Sequence, residues 1–273
     1  MPSVSNISIG VNMAAAAANK ARHGMNESIT RLSTGVRAMY GADAASHSMG
    51  KSIQAIGKSY AQAARNVEDG ISYAQMGESV LLEVANLAIR LRELGIAGVN
   101  QRLGLNFEQE LINANQYSAL EAERELIFDA INNILDNTKF NGVAVVDRNN
   151  AQQVNVAYGS LTANTHSVGP NVSVTAVNTL TAAATAEGNA DTLLAEVAKG
   201  LGNIAADLSA LKAFQGAASA TSANMAAAGA RLIDTDFALE TASLTKNAIL
   251  NQAALAMAAQ ANAAQSSILS VLQ

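Results

Sequence analysis

Residues Gly229–Gln273 read GARLIDTDFALETASLTKNAILNQAALAMAAQANAAQSSILSVLQ. The stretch has no proline and an interior rich in alanine, and it ends on Ile268, Leu269, Val271 and Leu272. Small apolar residues occupy almost every face, so a helix made from it leaves too much apolar surface to stand alone in water. The opening stretch, Met1–Val36, has the same surplus. Its apolar or small residues Ile7, Val11, Ala14, Ala18, Ala21, Met25, Ile29, Leu32 and Val36 step by three and four, the stripe of an amphipathic helix. Such a stripe either faces the chain's own core or joins one copy to another, and the matching surface at the other terminus favours the second. The two ends are expected to pair with each other and then with copies of themselves. The residues expected to carry that self-assembly are Ile7, Val11, Met25, Ile29, Leu32, Leu244, Ile249, Leu250, Leu255, Ile268, Leu269 and Leu272.

Composition agrees with packed helices. Of the 273 residues 49% are hydrophobic but only 4% aromatic, so the apolar content is mainly alanine and aliphatic residues that let helix backbones approach closely. Two prolines in the whole chain leave few places for a helix to break. The net charge is -5 with no lysine and arginine patch, which argues against a nucleic-acid partner. The absence of cysteine excludes disulfides and thiol chemistry. No basic leader with an apolar core and cleavage site is visible, so export is expected to proceed without a cleaved signal peptide. The run Ala14–Ala18 is too short to span a bilayer, and no membrane role is expected.

Between the ends, Thr34–Ser48 reads as a break, with Gly35, Gly41 and a GADAAS turn into a new helix. That helix carries two rows at seven-residue spacing: Ile53, Tyr60, Val67, Ala74, Leu81 and Ala88, and Ile56, Ala63, Gly70, Gly77, Val84 and Leu91. Rows of this kind form a coiled-coil-like seam, and glycines in it permit close contact at the expense of helix stability. Gly95–Gly104 is expected to interrupt the helix, and Phe107–Asp136 to resume it. Phe140-Asn141-Gly142 then marks a change of period, because Asn-Gly favours a tight turn. The valines Val143, Val145, Val146, Val154 and Val156, then Val172, Val174 and Val177, predict a small β-hairpin region at about 140–181, with Ser160–Pro170 its least ordered part. From Ala190 the helical stripe returns as Leu194, Val197, Leu201, Ile204, Leu208 and Leu211, and this helix is expected to pack antiparallel to the Ile53 helix. The fold class is therefore mainly α, built from long antiparallel coiled-coil-like helices running from both termini, with a small β-hairpin region.

No catalytic, cofactor or metal site is expected. His23, His47 and His166 lie in three different segments, and neither a phosphate loop nor a nucleophile elbow is present. Asp234 and Asp236 suit an N-cap better than acid–base work.

A set of ordered motifs resembles the bacterial flagellins. Ile29-Thr30-Arg31-Leu32-Ser33-Thr34-Gly35 matches I-x-R-L-S-[ST]-G, and Gly41-Ala42-Asp43-Ala44-Ala45 resembles A-x-D-D-A-A-G with one aspartate missing. Ala64–Ser72 resembles A-x-R-N-A-N-D-G-I-S, Arg90–Leu94 matches R-x-R-E-L, and Thr138–Gly142 matches T-x-F-N-G. Near the other end, Ala230–Ala238 resembles A-R-I-x-D-x-D-Y-A, Ile249–Ala253 matches I-L-x-Q-A, and Ala259–Asn262 matches A-Q-A-N. The resemblance implies a structural subunit, not an enzyme, that polymerises into the hollow helical filament for swimming motility. It implies an inner domain of residues 1–38 and 238–273 lining the filament core, and a helical domain of 39–237 without the outer variable domains. It further implies secretion to the extracellular flagellum, an export chaperone on about Thr241–Gln273, and contacts with filament cap and hook-junction proteins. Arg90, Glu93 and Leu94 fall in the family's receptor motif. However, Ile89 replaces a glutamine and Ala130 a glutamate of the members sensed by Toll-like receptor 5, so weak or no activation is expected. Ser160, Thr162, Thr165 and Ser167 are possible O-glycosylation sites, as in some flagellins. A hook–filament junction protein of the same family is the nearest alternative, disfavoured by the Arg90–Leu94 and Phe140-Asn141-Gly142 matches. A secreted membrane-active helical protein is a more distant one, because the polar face is not strongly basic.

Overall fold

The computed structural model describes residues 2–37, 43–102, 110–147, 149–160, 164–175 and 186–272. Among them are five helices and four short strands: α1 Pro2–Thr34, α2 Ala44–Arg102, α3 Glu110–Asn137, β1 Lys139–Phe140, β2 Val143–Ala144, β3 Val154–Ala157, β4 Thr165–Val168, α4 Ala186–Ile233 and α5 Phe237–Leu272. The chain divides into two compact units, one of residues 1–55 with 224–273 and one of 56–223. The helix breaks near residues 38 and 237, where the sequence suggests a domain boundary, both lie inside the first unit.

In the second unit α2 and α4 run antiparallel. Ser222 donates to the Gly57 carbonyl at 2.9 Å, and Gln215 to Glu68 at 2.9 Å. Farther along, Arg92 meets Asp191 at 2.7 Å. The two heptad rows of α2 form the seam between the helices: Val67, Ala74, Leu81, Val84, Ala88 and Leu91 are fully buried. They pack with Ile131 and Leu135 of α3 and with Leu193, Val197, Ile204 and Leu211 of α4 in one core cluster. The seam fails at its first turn, where Ile56 is exposed and Gly57 is buried in its place. The expected interruption at Gly95–Gly104 also does not hold over its first part, since α2 continues to Arg102. Buried Leu91 and Leu94 carry the helix into Gly95, and glycine weakens a helix by only about 1 kcal/mol. Residues 103–109 lie outside the described residues.

The β region has two separate antiparallel pairs, β1 with β2 and β3 with β4. Asn141 and Gly142 join β1 to β2, both with positive φ (49° and 82°), as a two-residue hairpin of the right twist requires. Gly142→Ala is therefore expected to lower stability by about 1 kcal/mol, measured by urea unfolding; an unchanged midpoint would contradict the turn assignment. Tyr73 of α2 closes this hairpin from below. Its hydroxyl lies 3.4 Å from the Ala144 and Val145 carbonyl oxygens, its ring stands edge-on to Phe140, and burial pushes its phenol pKa up. The second pair occupies part of the segment expected to be least ordered, because Val168 buries fully opposite Val154 and the helix beneath supplies polar anchors. Asp207 of α4 accepts from the Gly169 N–H at 2.9 Å and faces His166 at 3.1 Å, while Asn203 donates to the Pro170 carbonyl at 2.7 Å. Tyr158 stacks on Phe214 of the same helix at 4.2 Å. β3 presses against α2 at Gly70, where a Cβ would lie 2.7 Å from a Val156 methyl. Val172 and Val174 are buried but form no strand. Asn171 turns the chain with φ 45°, leaving one isolated bridge from Ser173 to Asp147. Val177 lies outside the described residues.

In the first unit α1 and α5 are antiparallel neighbours. Gly35, with φ 69°, ends α1 by donating to the Arg31 carbonyl. The two helix interruptions then bond to each other: Arg37 donates to the Ile233 carbonyl at 2.8 Å and Thr235 to the Gly35 carbonyl at 2.9 Å. Val36 and Asp234 pair as an antiparallel bridge between them.

Candidate assembly surface

The start of α5 is set by Asp236, whose carboxylate accepts from the Ala238 and Leu239 N–H groups at 2.9 and 3.2 Å. That is the N-cap role expected for this pair of aspartates, and it is worth about 1 kcal/mol. From there the contact between α5 and α1 is made of small and polar groups. Ala18, Ala21, Ser28 and Ala254 are buried. Ser28 and Ser243 approach to 3.5 Å, and Gly24 leaves room for Asn247. Arg31 stands 3.6 Å from the nearly buried Glu240, an ion pair too long to count as a hydrogen bond.

Most of the large apolar side chains face the other way. Met13 is 70% exposed, Leu239 71%, Met257 65%, Ile249 60% and Leu255 55%. Ile9, Ile29 and Leu250 are also about half exposed. An open apolar trough runs along α5 past Ala238, Ala242, Thr245, Ile249 and Leu250. The residues that the pair buries most deeply are thus mainly small ones, while most of its large apolar side chains are half exposed or more. Burying one such side chain gains about 1.5–3 kcal/mol, and this surface leaves that gain unrealised in the monomer.

The residues expected to carry self-assembly separate on this surface. Ile29, Ile249, Leu250 and Leu255 are exposed, whereas Val11, Met25, Leu32 and Leu244 are half-buried. The side chains of Ile7, Ile268, Leu269 and Leu272 lie outside the described residues. Met13, Leu239 and Met257 are as exposed as any of these and were not anticipated. They fall off the stripe that defines the helix pair, and the surplus of apolar faces was the only signal for them.

On the second unit, Arg90 is gripped by two carboxylates. Its Nε and Nη2 donate to Glu123 of α3 at 2.9 and 2.6 Å, and its Nη1 to Glu93 at 3.0 Å, an arrangement that raises its pKa further. Leu94 is buried. Ser160, Thr165 and Ser167 are exposed, with the Ser167 hydroxyl donating to Asn155 at 2.7 Å; Thr162 lies outside the described residues. Among the described residues, no helix is long and apolar enough to cross a membrane.

Residues 6–151 match the family model for the bacterial flagellin N-terminal helical region, and residues 185–272 that for the C-terminal helical region. The chain belongs to the bacterial flagellin family. A flagellin of Halalkalibacterium halodurans is 31% identical over 258 residues, 90% of this chain and 91% of that protein. A flagellin of Escherichia coli K12 is 34% identical over 139 residues, half of this chain and 26% of the relative. Phase 1 flagellin of Salmonella naestved is 32% identical with the same coverage. The chain therefore follows the Halalkalibacterium flagellin along nearly its whole length, and matches the two enterobacterial flagellins over about a quarter of theirs.

Proposed function

We propose that the chain is the subunit of a hollow helical flagellar filament and polymerises through the outward faces of α1 and α5. The observation that carries this reading is the row of large apolar side chains that the helix pair leaves in water, Met13, Leu239, Ile249, Leu250, Leu255 and Met257. Identical subunits that meet head to tail without closing a ring build a filament. Each added copy covers surface that ordering the helices alone leaves exposed. Residues 1–38 and 238–273 then line the filament core, and 39–237 surround them. The same α5 face, from about Thr241 onward, suits an export chaperone that holds it in a groove before assembly. Export as an unfolded chain delivers the subunit to the extracellular filament, where cap and hook-junction proteins contact its ends. With Arg90 committed to Glu93 and Glu123, and Ile89 beside it, weak or no activation of Toll-like receptor 5 is expected in a reporter-cell assay on depolymerised protein. Potent activation would refute that part.

Deleting Gln252–Gln273 removes the last part of α5, with exposed Leu255 and Met257, and is expected to leave a soluble monomer. Seeded polymerisation followed by negative-stain electron microscopy tests it, and filaments of normal length from the truncated chain would refute the reading.

A further inference from the structure

We infer that the turn Asn141-Gly142 is a covalent modification site, where the chain closes a succinimide on itself and reopens as isoaspartate or aspartate. The reaction uses water as its only co-reactant, and the filament reading assigns this turn no chemistry.

Asn141 is the one asparagine of the chain that is followed by glycine. Ring closure requires the backbone nitrogen of the following residue to reach the side-chain amide carbon, and a residue without a Cβ leaves that approach open. The fold leaves both groups uncommitted. Asn141 and Gly142 are exposed, and the Asn141 side chain makes no hydrogen bond among the described residues. The Gly142 N–H donates to no backbone carbonyl among them. A Cβ on Gly142 would meet nothing within 4 Å. The strands that hold the turn pair over Lys139–Phe140 and Val143–Ala144 alone, and so short a hairpin opens locally with ease.

Two other positions show what sets this one apart. Asp69-Gly70 could close the same ring by losing water, but Gly70 lies inside α2 with its N–H held in the helix ladder, and its α-carbon faces Val156. Asn171 shares the positive φ, at 45°, but is followed by buried Val172, whose branched side chain blocks the approach.

The Gly142 nitrogen attacks Cγ of Asn141 and gives up its proton to water, and the side-chain nitrogen leaves as ammonia. Water then adds to either carbonyl of the imide. Opening at the former main-chain carbonyl leaves the chain running through Cβ, as isoaspartate; opening at the other leaves aspartate. The isoaspartyl link adds a methylene to a turn with only two residues between paired Phe140 and Val143, and so breaks their register. Either product also brings a carboxylate to the cleft that Asn141 lines together with Asp69, which has no ion-pair partner among the described residues. Like charges repel there, and Phe140 loosens from Tyr73.

Trypsin cuts after Lys139 and Arg148 and frees Phe140–Arg148, whose one side-chain amide is Asn141. The full-length monomer is aged at mildly alkaline pH, digested and separated by liquid chromatography with mass spectrometry. This peptide is expected to convert into two forms of acid mass, one of them a substrate for isoaspartyl methyltransferase, at least tenfold faster than any other asparagine peptide. Gly142→Ala is expected to slow the conversion at least tenfold. Conversion no faster than elsewhere would overturn the inference. So would a product without isoaspartate, the mark of direct hydrolysis, or a rate in the intact protein a hundredfold below that of the free peptide, the mark of a shielding turn. The aged parent is expected to unfold at lower urea than the fresh one, and Asn141→Gln at the same urea before and after ageing. An unchanged midpoint in fully converted protein would refute the loosening.

Discussion

Replacing Ile249 and Leu255 together by aspartate raises the concentration needed for filament growth by about a thousandfold, while the monomer keeps its helix content. Both side chains are more than half exposed in the monomer, so the substitution removes little that holds the free chain together. In the filament each position loses about 1.5–3 kcal/mol of apolar burial, and an unpaired carboxylate placed in an apolar contact adds a further penalty. A combined loss of about 4 kcal/mol corresponds to about three orders of magnitude in affinity. Seeded sedimentation at increasing protein concentration measures the shift, and circular dichroism of the supernatant checks the monomer. A critical concentration within a few-fold of the parent would mean that this face of α5 is not buried on assembly.

The opposite result is expected inside the 56–223 unit. Leu81→Ala is predicted to lower the stability of the monomer by about 3–4 kcal/mol, near the middle of the range for buried leucines. Leu81 is fully buried in the seam, and α4 passes so close that a Cβ on Gly200 would lie 2.8 Å from a Leu81 methyl. Two long helices fastened at Ser222–Gly57, Gln215–Glu68 and Arg92–Asp191 cannot both shift to fill the void, so a cavity remains. Urea unfolding of the monomer gives the number. A loss below 1 kcal/mol would show that the seam collapses freely.

The two positions also show what sequence periodicity reveals and what it hides. Leu81 belongs to a row that repeats every seven residues, and such a row has one solution, a seam against another helix. The α2 and α4 packing, the Asn141-Gly142 turn and the Asp236 cap were all legible for the same reason: each is a local pattern with one physical meaning. Ile249 is different. In a stretch where nearly every face is apolar, a periodic template cannot say which face turns inward, and the structure buries Ala254 and leaves Ile249, Leu250 and Leu255 exposed. Met13, Leu239 and Met257 escaped notice because an apolar residue off the stripe reads as noise. The valines Val154 and Val156 announced β3, but β4 escaped because its support comes from Asn203 and Asp207 of α4, more than thirty residues away in sequence from what they hold. The end of α2 escaped because buried leucines upstream outweigh two glycines.

The paired interruptions at Gly35–Arg37 and Ile233–Thr235 have a mechanical consequence. A helix that simply stops leaves a swivel, and a pull along the chain is then borne by one slack segment. Here two outgoing connections lie side by side and are stitched by two main-chain hydrogen bonds. Tension leaving α1 through Gly35–Arg37 meets a joint that residues 233–235 also bear. The rise and the return of the polypeptide share the load as two plies of a cord do, so neither connection stretches alone.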